Sequence, residues 1–238
     1  DGDVFGVTNF GDVVVFDRET GRRLNADRRL PGHVPPPSAV MPMPPSLFDG
    51  GLVDPAIRSW AWQLLAGGAM PSANTPAVDV ETGRIFVAAT STEVGLGALH
   101  ALDLESIGEG PARRIEVHAA FTTDMGPGSG SSPSLSPSRH HVYVSDENGM
   151  FYGVDAKSGE IVWEVQTKAT SAAAAVGGNG DVFALQAYGP ALIAMREDGT
   201  VRWESDLDRL ARARLPKSFW LGEPMAIGNG NPTVVGSD

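Results

Sequence analysis

With 238 residues, 42% of them hydrophobic and 20% charged, the chain has enough apolar material for a sizeable core and is not disordered by composition. Its 29 glycines and 18 prolines suit many short strands joined by turns rather than a helical bundle. A net charge of −11 without a basic stripe argues against a nucleic-acid partner, the absence of cysteine removes disulfides and thiolate chemistry, and no apolar run approaches the roughly 20 residues of a transmembrane segment.

Taken in chain order, Asp3-Val-Phe-Gly-Val7 and Val13-Val-Val-Phe-Asp17 read as short strands, followed by the turn Glu19-Thr-Gly-Arg22. Residues 25–71 depart from this pattern and read as an insertion. In it, His33-Val-Pro-Pro-Pro37 and Met41-Pro-Met-Pro-Pro45 should run extended. A helix is then expected, capped by Asp54, with Pro55 in its first turn and Gly67 at its stop. Ile57, Trp60, Ala61, Leu64 and Leu65 share one face of that helix, which either packs on the domain itself or docks a second protein.

A second unit comprises Thr75-Pro-Ala-Val-Asp79, Arg84-Ile-Phe-Val-Ala88, Ala98-Leu-His-Ala-Leu-Asp103 and Arg114-Ile-Glu-Val117. The segment Gly126–Ser132 reads as a linker, since no Lys-Ser or Lys-Thr follows its glycines to make a phosphate loop. A third unit runs through Ser132–Ser136, His141-Val-Tyr-Val-Ser145, Phe151-Tyr-Gly-Val-Asp155 and Glu160-Ile-Val-Trp163. The fourth repeats it in Ala172–Val176, Asp181-Val-Phe-Ala-Leu185, Leu192-Ile-Ala-Met-Arg196 and Thr200-Val-Arg-Trp203. A short helix is expected over 207–215, after which Glu223–Ile227 and Pro232–Gly236 look like the start of a fifth unit.

Tyr143 and Phe183 stand 40 residues apart, as do Trp163 and Trp203, so two landmarks share one period. A period near 40 is the signature of propeller blades. The expected fold is therefore all-β: a β-propeller of four-stranded antiparallel blades, an incomplete ring, with a helical insertion after the first blade. Blades are expected at about 1–24, 72–118, 131–167 and 171–207, with a partial one at 219–238. Both ends offer the same second-strand segment, which suggests a piece of a larger ring of six to eight blades, a closed five-bladed ring being the alternative.

Candidates for chemistry are sparse. His100 alternates with leucines in a strand, His140 and His141 sit before a strand, at a turn where neighbouring side chains point to opposite faces, and His118, near Asp124, stands past a strand end at a rim. Asp17, Asp79, Asp103, Asp146 and Asp155 read as turn residues that satisfy backbone amides. Neither a catalytic set nor a metal site emerges from them.

The stretch Val154-Asp-Ala-Lys-Ser-Gly-Glu-Ile-Val-Trp163 resembles the PQQ-like, or quinoprotein-type, propeller repeat, and Met195–Trp203 resembles it with the turn shifted. The resemblance gives Trp163 and Trp203 the part of wedges between blades, and Asp155 and Gly159 that of turn residues beneath them. It implies a non-catalytic binding or scaffold subunit, periplasmic or extracellular, similar in kind to the lipoprotein propeller of outer-membrane protein assembly. Its partner would be a protein, or a small ligand at the propeller funnel. The alternative it implies is a fragment of a dehydrogenase that uses pyrroloquinoline quinone with calcium, for which no cofactor residue carries over by motif.

Overall fold

The computed structural model describes residues 2–8, 11–31, 74–91, 93, 96–127, 131–167, 169, 173–186, 191–207 and 234. Among these, the regular structure is four antiparallel sheets and a three-residue 3-10 turn, Gly110–Ala112. The first sheet holds β1 (Val4–Val7), β2 (Asp12–Phe16) and β3 (Arg28–Arg29). The second holds β4 (Ala77–Val78), β5 (Ile85–Thr90), β6 (Gly97–Ile107) and β7 (Arg114–Met125). The third holds β8 (Ser134–Leu135), β9 (His141–Ser145), β10 (Met150–Asp155) and β11 (Ile161–Gln166), and the fourth β12 (Ala175–Val176), β13 (Val182–Leu185), β14 (Ala191–Met195) and β15 (Val201–Asp206). Strands pair in chain order, each sheet being a meander of hairpins, as in a propeller blade. The two-residue strands β4 and β8 touch, as do β8 and β12, so these short strands lie on the inner side.

Successive side chains of a strand point to opposite faces, and this periodicity ties each sheet to two neighbours. Along β5, Ile85, Val87 and Ala89 enter a cluster with Val13 and Leu30 of the first sheet, while Phe86 and Ala88 join Val142, Val144 and Val154 of the third. Along β9, Tyr143 turns the other way, to Phe151, Val182, Ile193 and Met195 between the third and fourth sheets. A strand buried on both faces must be apolar throughout, which is why β5 and β9 read as continuous hydrophobic runs.

The strands extend beyond their expected bounds at two places. Arg28–Arg29, counted from the sequence into the insertion, pair with Val13 and Asp12 as β3. The hairpin β6–β7 overshoots: β6 continues through Asp103 to Ile107 and β7 reaches Met125 rather than ending near 118. Asp103 is thus a strand residue opposite His118, not a turn residue, because Leu104, Ile115 and Val117 of the longer hairpin bury against Phe5, Val15 and Leu24 of the first sheet. The Ile115 amide donates to the Leu24 carbonyl at 2.8 Å, and Arg113 pairs with Asp3. The expected helix bearing Ile57, Trp60, Leu64 and Leu65, residues 208–215 of the second expected helix, and the fifth unit apart from Val234 lie outside the described residues.

Candidate functional site: the blade junctions

The turn that the sequence singles out, Asp155–Gly159, is closed by its own side chains. Asp155 Oδ1 accepts hydrogen bonds from the amides of Lys157 (3.0 Å) and Ser158 (2.7 Å) and from Ser158 Oγ (2.9 Å). These donors, Ser158 foremost, hold the Asp155 carboxyl below the usual carboxylate range. The Gly159 amide donates to the Asp155 carbonyl at 2.9 Å, at a φ of 81° that glycine adopts without strain. Asp17 receives the same kind of bonds from Glu19 and Thr20, and Asp79 from Glu81 and Thr82. At Asp79, burial opposes the charge, but Thr82, Glu81 and Arg139 outweigh it and the carboxyl stays low.

Each of two such turns is capped by an aromatic ring from the preceding sheet. Trp163 lies over Gly153 of its own sheet and against Gly199 of the fourth, where a Cβ would stand 2.7 Å from the indole. Its Nε1 donates to the Glu197 carbonyl at 2.9 Å. Phe121 takes the equivalent place one sheet earlier: a Cβ on Gly159 would lie 2.6 Å from its ring, and Thr123 Oγ1 donates to the Gly159 carbonyl at 2.6 Å. The register explains the equivalence. Phe121 pairs with Ala101, Trp163 with Gly153 and Trp203 with Ala194, and in all three hairpins a bulge follows that pair directly. A bulge rotates the strand locally and aims the aromatic at the neighbouring sheet.

Polar clasps lie beside the rings. Arg84 makes a bidentate pair with Asp103, both bonds 2.9 Å, and donates to the Ala156 and Lys157 carbonyls of the next sheet at 3.2 Å. Arg139, at the positive φ of 61°, pairs with Glu81 at 2.7 Å and Asp79 at 3.5 Å. Arg84, Asp103, Asp79, Arg139, Ala156 and Lys157 line a cavity of about 510 Å³ between the second and third sheets. At the next junction, a cavity of about 460 Å³ is lined by His140, His141, Val162, Trp163, Glu197 and Asp198. There Glu197 Oε1 accepts from Ser138 Oγ at 2.5 Å and lies 3.2 Å from His141 Nδ1, and the Ser138 bond leads in holding the Glu197 carboxyl low.

The remaining histidines take separate places. His100 is buried, with Nδ1 3.1 Å from Thr122 Oγ1. His118 lies within β7 rather than beyond a strand end, exposed and 3.3 Å from Glu105, while Asp124 is engaged by Ser91. Trp203 is 43% exposed and meets Phe183 of its own sheet with the rings tilted by 47°, their centroids 6.0 Å apart.

The family model described as outer membrane protein assembly factor BamB matches residues 112–236, more than half of the chain's 238 residues. The chain belongs to this family of PQQ-like propellers. Among solved structures, the propeller is similar to BamB from Moraxella catarrhalis at 20% identity and a TM-score of 0.44, covering 59% of this chain and 38% of that one. It is also similar to a europium-containing methanol dehydrogenase (15% identity, TM-score 0.40, 55% and 24% covered) and to the quinohemoprotein alcohol dehydrogenase from Comamonas testosteroni (17%, 0.38, 56% and 20%). The chain spans 38% of the length of the Moraxella protein. No curated protein matches it.

The inner strands of this PQQ-like propeller carry Ala77, Val78, Ser134, Leu135, Ala175 and Val176. None has a carboxylate or a side-chain amide, and among the described residues no three His, Asp or Glu side chains gather to hold a cation, so these residues do not fit a quinone with calcium. Sequence reasoning missed Phe121, Arg84 and Glu197. Phe121 was findable from its place in β7, since it stands 42 residues before Trp163, close to the repeat period. Arg84 and Glu197 show no sequence signal, because each is defined by a partner on another sheet.

Proposed function

We propose that this chain is a non-catalytic propeller domain serving as a binding or scaffold subunit outside the cytoplasm, in the assembly of outer-membrane proteins. The observation that carries the reading is the match of residues 112–236 to the assembly-factor family. Support comes from the junctions, where Trp163, Gly159, Arg84 and Glu197 are engaged in joining sheets. In this reading the chain is one propeller domain. The part of residues 25–71 beyond β3 and Leu30 is its interaction insertion, Ile57, Trp60, Leu64 and Leu65 meet the protein partner, and 219–238 begin a further blade.

The test is recovery of outer-membrane proteins from detergent-solubilised membranes of the source organism on the immobilised chain, compared with Trp60→Asp and Leu64→Asp. Specific recovery that both substitutions reduce severalfold is expected. Unchanged recovery removes the docking face, and no recovery at all removes the scaffold. A bound chromophore after adding pyrroloquinoline quinone and calcium, with dye reduction by alcohols or sugars, would instead establish a dehydrogenase fragment.

A further inference from the structure

In an Asn-Gly pair the side-chain amide stands beside a backbone nitrogen that no neighbouring side chain shields, so asparagine, a chemically labile residue, is most open to attack there. Two such pairs lie in described hairpin turns, Asn148-Gly149 between β9 and β10 and Asn179-Gly180 between β12 and β13. Both asparagines are exposed and both glycines buried, so exposure does not separate the two turns. Hydrogen bonding does. Asn179 Oδ1 accepts the Asp181 amide and Asn179 Nδ2 donates to Asp181 Oδ2, each at 3.1 Å, and the Gly180 amide donates to the Gly177 carbonyl at 2.9 Å. The Asn148 side chain makes no hydrogen bond among the described residues, and the Gly149 amide has only a long bond of 3.3 Å to the Asp146 carbonyl.

We propose that Asn148 is a deamidation site, and that its isoaspartyl product releases the end of β11 from the third sheet. The Gly149 nitrogen, having lost its proton to solvent base, forms a bond to Asn148 Cγ. The Cγ–Nδ2 bond breaks, and the amide takes up a proton and leaves as ammonia. Water then opens the cyclic imide at either carbonyl, leaving an aspartyl residue or an isoaspartyl residue whose main chain runs through Cγ and is longer by a carbon. The consequence follows from what flanks that link. Gln166 Nε2 donates to the Asn148 carbonyl at 3.0 Å, while the Thr167 amide and Oγ1 donate to the Gly149 carbonyl at 2.9 and 3.2 Å. The isoaspartyl link turns the first carbonyl into a free carboxylate and displaces the second, so the two anchors of β11 no longer fit together.

To test this, the folded chain is aged in mildly alkaline buffer and digested, and the peptides carrying Asn148 and Asn179 are followed by mass for loss of the amide and by isoaspartyl methyltransferase for the isoaspartyl product. Asn148 should react about tenfold or more faster than Asn179, whose hydrogen bonds must break before attack. In the urea-unfolded chain that protection is gone, and the two rates should agree to within about threefold. Hydrogen exchange at the Thr167 amide should speed severalfold in the isoaspartyl fraction. It should stay at the parent rate in Asn148→Asp, which adds the charge without lengthening the main chain. Equal rates in the folded chain, faster reaction at Asn179, or a ratio that urea leaves unchanged would each overturn the assignment of the site. Unchanged Thr167 exchange in the isoaspartyl fraction, or equal acceleration in Asn148→Asp, would overturn the release of β11.

Discussion

Two glycines with nearly the same backbone conformation differ in what surrounds them, and this separates strain from packing. Gly199 has a φ of 81° and faces the Trp163 indole, whereas Gly21 has a φ of 68° and open space. Gly21→Ala should cost only the left-handed backbone penalty, about 1–2 kcal/mol. Gly199→Ala adds overpacking against the indole and should cost roughly 3–4 kcal/mol in total, as read from urea unfolding midpoints. Tyr143 offers the opposite case. It is fully buried, burial pushes its phenol up, and its hydroxyl has no hydrogen-bond partner among the described residues. Tyr143→Phe is therefore expected to be neutral or to stabilise the fold by up to about 1 kcal/mol, because it removes an unsatisfied buried group. A loss above that range would mean that the hydroxyl does have a partner.

At the scale of elements, the clasp between β9 and the turn before β15 makes stability depend on pH. The folded Glu197 carboxyl lies below its unfolded value of 4.5, with the Ser138 hydrogen bond as the leading cause. A carboxyl depressed in the folded state contributes stability above its unfolded pKa and loses that contribution as the pH falls through the folded pKa. Glu197→Gln should thus cost most near neutral pH, and its deficit against the parent chain should shrink to nothing as acid protonates the parent. Unfolding midpoints measured from pH 7 to pH 3 read this directly, and a deficit constant with pH would place the role of Glu197 elsewhere. The hairpins were only partly legible in the sequence. The glycines at 149 and 159 mark their turns because positive φ is a local demand, and both have it. The overshoot of β6–β7 was not legible, because Asp103 stands in the same sequence setting as Asp155 and only contact with the first sheet keeps the strands paired past it.

At the scale of the molecule, each described junction has its own hydrophobic cluster, so energetic coupling should be confined to neighbours. Phe86 lies in the cluster between the second and third sheets and Met195 in that between the third and fourth. Each change to alanine should cost about 2–5 kcal/mol, and the double substitution should be additive to within about 0.5 kcal/mol. Phe121→Ala and Gly159→Ala should not be additive, since the smaller ring site leaves room for the added methyl. Double-mutant cycles on urea unfolding distinguish the two cases.

The 40-residue spacing of Trp163 and Trp203, the turns built on Asp17 and Asp155, and the apolar runs of β5 and β9 were all determined by the sequence, because each is carried by residues that lie along the chain itself. The tertiary structure alone decided that Phe121 stands in for a tryptophan, that Arg84 clasps the Ala156 turn, and that Trp163 is packed against Gly199. Those assignments depend on which sheet lies beside which, and a repeat that uses similar residues in every blade carries no local mark of its neighbours.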